Sequence, residues 1–289
     1  MNIVRGLTAS LLLLATSSAL AQQVVQITQG NQHDLDPRVS PDGNHLVYTS
    51  DRTGNFDVYK LTFGKAGEMQ LTQTKEDDRY PSWSASGSHI IFNSKRTGGG
   101  DLYEMAADGG SGYLQLSDSP DLEEYASYAP KGEALVFAKA PKKVVKLRPQ
   151  LSVVYAESKG NAGNPRVLAE GDEPRFSPDG KSIAFVSVRT KNKDVWLMQV
   201  DGGRQTQLTT DPKDDGNPSF SPDGKSIVFA SKRTGNYDIW VMNTDGGNLR
   251  QLTTDPADEE QPCWSVGGYI YFTRSPSQSQ TNIYRIPAP

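Results

Sequence analysis

The chain has 289 residues, 35% of them hydrophobic and 22% charged, with a formal net charge of −4 at pH 7. That balance lacks the basic surplus of a nucleic-acid binder. A single cysteine, Cys263, excludes an intramolecular disulfide, and between Pro262 and Trp264 it reads as a buried thiol.

Residues 1–21 read as a secretory signal peptide. Arg5 supplies the positive start, Leu7 to Leu20 is apolar or small, and Ala19-Leu20-Ala21 is a small-x-small cleavage site before Gln22. The apolar stretch is too short and too rich in Ser and Thr for a membrane span. Cleavage after Ala21 is expected to leave a soluble, exported domain, residues 22–289.

Next comes Val24 to Gln29, which matches Leu249 to Thr254, an outer strand later in the chain. From Ser40 onward the sequence repeats. Ser-Pro-Asp-Gly stands at Ser40–Gly43, Ser177–Gly180 and Ser221–Gly224, with degenerate copies starting at Ser84, Ala129 and Ser265. Successive copies lie 44 to 48 residues apart, the spacing of a β-propeller blade. Six repeats fill residues 22–289, so the expected fold is all-β: a six-bladed β-propeller of four-stranded blades.

The fifth repeat shows one blade most clearly. Pro218 to Ser221 is a short strand A, and Pro222-Asp223-Gly224 turns the chain. Ser226 to Ser231 is strand B, Lys232 to Asn236 the B–C loop, and Tyr237 to Thr244 strand C. Asp245-Gly246-Gly247 turns into strand D, Leu249 to Thr253, and an acidic D–A loop leads onward. The last repeat stops after its strand C. The N-terminal strand is therefore expected to pair as the outer strand of the last blade, closing the ring and removing an open edge.

Aromatics recur at three positions. Strand A carries Trp83, Tyr128, Phe176, Phe220 and Trp264, with Val39 in blade one. Strand B carries Tyr48, Phe92, Phe137, Phe185, Phe229 and Phe272; strand C carries Tyr59, Tyr103, Tyr155, Trp196, Trp240 and Tyr284. Flat rings at equivalent positions are expected to fill the gaps between blades.

Strand alternation places the D–A and B–C loops on one rim. The D–A loops present Asp34, Asp78, Glu123, Asp215 and Glu259, with Gly171 followed by Asp172 and Glu173 in blade four. The B–C loops present Arg52, Arg96, Arg189 and Arg233, with Arg274 in blade six. This rim is the expected partner-binding surface, and its acids are also candidates for a divalent cation. The competing reading pairs each arginine with a neighbouring carboxylate. Asp57, Asp101, Asp194 and Asp238 begin strand C, where they would cap the B–C turn through backbone hydrogen bonds.

Two local features break the repeat. Between the Pro position and the aromatic of strand A stand Ser82, Ser127, Ser219 and Cys263, but Arg38 and Arg175 in blades one and four. Those arginines are expected across the axis from each other, as a channel site for an anion or carboxylate. Blade three carries a basic insertion with Lys142, Lys143, Lys146 and Arg148, a candidate contact for an anionic partner. Catalytic motifs are missing: there is no Gly-x-Ser-x-Gly, His-Glu-x-x-His or Walker loop. His33 belongs to the acidic rim, whereas His45 and His89 begin strands B at the other.

The repeated Pro-x-Trp/Phe-Ser-Pro-Asp-Gly, Ile-x-Phe-x-Ser-x-Arg-x-Gly, Asp-Ile-Tyr/Trp, Asp-Gly-Gly and Leu-Thr elements resemble the TolB family over residues 24–286. TolB is the periplasmic propeller of the Tol–Pal envelope system. TolB proteins carry an N-terminal α/β domain where this chain has only a short segment. The resemblance implies a monomeric, non-enzymatic periplasmic scaffold, without cofactor, that docks a protein such as a peptidoglycan-associated lipoprotein. The alternative is a propeller lyase or hydrolase acting on carbohydrate or peptide in the central pocket.

Overall fold

The computed structural model describes residues 23–110, 112–141, 151–157 and 165–289. The expected signal peptide lies outside them. The described residues form six four-stranded antiparallel sheets. Their innermost strands A are Asp34–Val39, Asp78–Trp83, Leu122–Tyr128, Asp172–Phe176, Asp215–Phe220 and Asp258–Trp264. Each touches the strand A before and after it, and the sixth touches the first, so the sheets stand as six blades around an axis.

The Ser-Pro-Asp-Gly turns hold themselves. Ser177 Oγ donates to Asp179 Oδ1 at 2.6 Å, and the same carboxylate oxygen accepts from the Lys181 amide at 3.1 Å. Blade five repeats this with Ser221, Asp223 and Lys225. Gly180 and Gly224 close the turns at φ +72° and +70°, which a residue with a Cβ adopts only under strain. These bonds hold the carboxyls of Asp42, Asp179 and Asp223 below the usual range, the Ser hydroxyl contributing most.

The strand B aromatics form the spine of the core; all six are at most 2% exposed. In five blades each lies opposite the expected strand C aromatic, as in Phe92 with Tyr103 and Phe229 with Trp240. Blade three departs from this. Its strand C pairs Val154 with Phe137, and Tyr155 with Val136. A one-residue slip flips every side chain to the other face. Tyr155 therefore packs against Phe176 and Ile183 of blade four, while Phe137 faces Ile91 and Leu102 of blade two.

Ring closure runs as expected. Val25–Gln26 pairs antiparallel with Gln280–Pro287, Val25 opposite Arg285 and Gln26 opposite Tyr284. The ladder is only two residues long, but side-chain and bridge contacts extend it. The Ile27 amide donates to Ile283 O at 2.8 Å, the Ile283 amide to Thr28 Oγ1 at 3.0 Å, and His33 bridges to Thr281. Deleting Val24 to Gln29 is expected to cost several kcal/mol, on the order of a marginal domain's whole stability. Thermal denaturation of the deletion variant checks this, and an unchanged melting temperature would contradict the closure.

Candidate functional site

The acids expected on the open rim are enclosed. Asp34, Asp78, Asp215 and Glu259 are 0% exposed, and Glu123 is 2% exposed. Each pairs with a cation of its own blade. Arg52 lies 3.0 Å from Asp34, Arg96 3.0 Å from Asp78, Arg233 2.9 Å from Asp215 and Arg274 2.5 Å from Glu259. In blade three Lys139 stands in, 3.1 Å from Glu123. Blade four has no such acid, because a Cβ at Gly171 would lie 2.5 Å from Val186 O. Arg189 there bonds Gln205 Oε1 at 2.6 Å and Glu170 O at 3.0 Å.

These arginines also stack. Their guanidinium carbons lie 4.3 to 4.7 Å from the strand C rings of Tyr59, Tyr103, Trp196, Trp240 and Tyr284. In blades one, two, five and six, carboxylate, guanidinium and aromatic form one intrablade tie. The rim assignment of Asp34, Asp78, Asp215 and Glu259 is thus corrected: they hold loops and present no free charge, while Glu123 is enclosed beside Lys139. Among the described residues, no three His, Cys, Asp or Glu side chains converge as metal ligands. The strand C aspartates are corrected too. Toward the B–C turn they bond threonine side chains, as where Asp194 accepts from Thr190 Oγ1 at 2.6 Å, and Asp101 also accepts the Ser119 amide at 3.1 Å.

The axis holds what sequence reading missed. One residue of every strand A adopts a left-handed backbone: Asp36, Tyr80, Tyr125, Glu173, Asn217 and Gln261, with φ between 51° and 56°. All but Tyr125 precede a proline, a position that favours extended backbone, so this conformation is doubly disfavoured. Each sits in a β-bulge, where the strand A–B register shifts. Strain of this kind concentrates at functional sites.

The bulges turn these six side chains into one layer around the axis. Gln261 Nε2 donates to Asp36 Oδ1 at 2.8 Å, and the Asp36 amide donates back to Gln261 Oε1 at 2.9 Å. The Gln261 amide donates to Asn217 Oδ1 at 3.3 Å, and Asn217 Nδ2 to Glu173 Oε2 at 2.9 Å. The rings of Tyr80 and Tyr125 lie 4.1 Å apart. The repeated Pro, preceded by a different residue in each of the five blades that carry it, was the available sequence signal.

Chain direction separates the two sides of this layer. One residue earlier stand Arg79, Glu124, Asp172 and Glu260, facing the D–A end. Burial raises the carboxyl pKa values of Glu124, Asp172 and Glu260, the last to about 7, with neighbouring acids adding to Asp172 and Glu260. Two residues after the layer stand Arg38 and Arg175, toward the Ser-Pro-Asp-Gly end. Arg38 lies near enough to help lower the pKa of Arg175; burial contributes most, and the result is about 9. Among the described residues, neither has a carboxylate oxygen within 4.0 Å. Arg175 donates instead to Tyr125 O at 3.0 Å and Pro174 O at 2.9 Å, and Arg38 to Pro37 O at 2.7 Å. Arg38 opens into a depression of about 220 Å³ that Trp83, Tyr128, Trp264 and Val266 also line. Lys142, Lys143, Lys146 and Arg148 lie outside the described residues.

A family model described as the TolB beta propeller domain matches residues 10–171 and 148–288. This chain belongs to that family. No curated protein sequence matches it. Among solved structures, it is similar to a protein provisionally designated TolB from Agrobacterium tumefaciens, at 20% identity and a TM-score of 0.70, over 92% of this chain and 97% of that one. TolB from Acinetobacter baumannii is 16% identical with a TM-score of 0.66; the match covers 89% of this chain and 63% of that protein. Oligogalacturonate lyase from Vibrio parahaemolyticus shares the fold at 13% identity and a TM-score of 0.64, over 94% and 95% of the two chains. At such identities the likeness is one of fold.

Two predictions follow from the TolB-type blade and its axis. Asp215→Ala leaves Arg233 enclosed without its partner and is expected to cost about 3–5 kcal/mol in urea denaturation; a neutral result would remove the tie's structural role. Carboxyls with raised folded pKa values contribute stability that is complete below about pH 4 and lost as pH rises through the folded value. The melting temperature should therefore fall between about pH 5 and about pH 8, and Glu260→Gln should flatten that slope.

Proposed function

We propose that this TolB-type propeller is an exported, non-enzymatic binding protein whose axial vestibule takes up an acidic segment of a partner protein. The observation that carries the reading is the pair Arg38 and Arg175, neighbouring guanidinium groups whose hydrogen bonds, among the described residues, go to backbone carbonyls alone. A carboxylate entering there would relieve their mutual repulsion and accept charge-assisted bonds. Trp83, Tyr128 and Trp264 around the same depression supply apolar contact for the flanking residues. Approach is from the Ser-Pro-Asp-Gly end, because Arg38 lines the depression there.

The family setting supports a periplasmic location and a partner of the outer-membrane-associated kind, such as a peptidoglycan-associated lipoprotein. Asp36 and Glu173, the carboxylates nearest the arginines, are engaged by Gln261 and Asn217, which supports binding rather than acid–base chemistry. The lyase alternative rests on the same two arginines, since a uronide carboxylate would suit them as well.

The test is titration calorimetry with an acidic peptide and with an oligouronide. Arg38→Gln with Arg175→Gln should weaken capture of the peptide at least about tenfold. The melting temperature should stay level or rise, because two crowded cations are removed. Unaltered peptide affinity would reduce both arginines to structural ties. Arginine-dependent cleavage of the oligouronide would favour the lyase.

A further inference from the structure

Among the described residues, blade three lacks the arginine of strand B or the B–C loop that stacks on a strand C ring in the other five blades. Arg52, Arg96, Arg189 and Arg233 stand four residues beyond the strand B aromatic; the equivalent residue in blade three is Pro141. Blade six reaches its acid from two residues beyond the aromatic, with Arg274, and blade three has Lys139 there. The strand C ring is missing as well, because the register slip sets Val154 opposite Phe137. Among the described residues, blade three thus keeps the carboxylate and one ring of the socket and lacks both the guanidinium and its stacking partner.

A cavity of about 550 Å³ stands at this place, lined by Glu123, Phe137, Lys139, Asp118, Ser117 and Gln115. Glu123 is 2% exposed, and among the described residues its Oε2 has no hydrogen-bond partner. Glu259 of blade six also keeps one oxygen without a partner, but its other oxygen accepts two bonds from Arg274. The corresponding oxygen of Glu123 accepts one, from Lys139 at 3.1 Å. Lys139 does not replace the guanidinium. An ammonium is a point charge without a plane to lay on a ring. Its charge is outweighed locally, since Asp121 lies 3.6 Å from it and Asp118 lines the same cavity. The volume suits a small ligand or a single long side chain.

We propose that this cavity is a guanidinium-binding site that takes the arginine side chain of a peptide, laid on Phe137 and bonded to Glu123. The other blades are its template: each supplies internally the group that blade three would take from outside. The inference is independent of the axial arginines.

The probe is Nα-acetyl-arginine-N-methylamide, with its lysine and citrulline counterparts, titrated into the full chain and followed by NMR. Saturable arginine binding is expected, weaker for lysine and lost for uncharged citrulline. Glu123→Gln should weaken it roughly tenfold or more, the effect of losing a charge-assisted bond. Because Glu123→Gln can disturb the fold, a second variant restores the missing parts. Lys139→Arg with Val154→Tyr should block the probe while the melting temperature holds or rises. No arginine binding at millimolar concentration, or equal binding in the restored variant, would overturn the proposal. So would binding that appears only after Lys142, Lys143, Lys146 and Arg148 are changed to Ser, since the socket would then belong to the chain's own cations.

Discussion

The left-handed residue in each strand A is the constraint on which the rest depends. On a regular strand, residues five apart face opposite ways. Asp78 and Trp83 are five apart, yet both serve the face that holds Phe92: Asp78 through Arg96, Trp83 by packing. Asp215 and Phe220 do the same around Phe229. The extra residue of the bulge restores the phase. Without it, either the acid would lose its arginine or the aromatic would leave the core. The same kink aims a side chain at the axis, so blade cohesion and channel lining come from one backbone feature.

That coupling gives the channel its polarity. A hydrogen-bonded layer centred on Asp36, Gln261, Asn217 and Glu173 separates unlike surroundings. On one side carboxyls are pushed toward their neutral form by burial. On the other, two arginines crowd each other. An axis divided in this way differs in chemistry between its two ends.

Much of this architecture was legible in the residues. Turn chemistry repeats at a near-constant period, and Ser-Pro-Asp-Gly needs no tertiary partner to form its bonds. The clasp was legible because Val24 to Gln29 repeats the outer-strand pattern. Alternation arguments failed where the chain breaks alternation. The bulge moves Asp34, Asp78 and Asp215 from the rim into the blade, and no composition cue marks a positive φ before proline. Tyr155 looked equivalent to Tyr103 by type, but only pairing reveals that Val154 holds the place. Arg38 and Arg175 stood out because they interrupt a row of small residues.

The two-residue clasp has a consequence for the order of assembly. Thr28 meets Ile283 across 255 residues of chain. Contacts of such separation form slowly, since the whole intervening chain must first be arranged. Blades one to five are built from neighbours in sequence and can assemble as the chain emerges. The sixth waits for both ends, and until they meet its strand edge stays open to pairing with other molecules. The ring is thus kinetically a spiral until its last step, and the residues that lock it are among the first to be made.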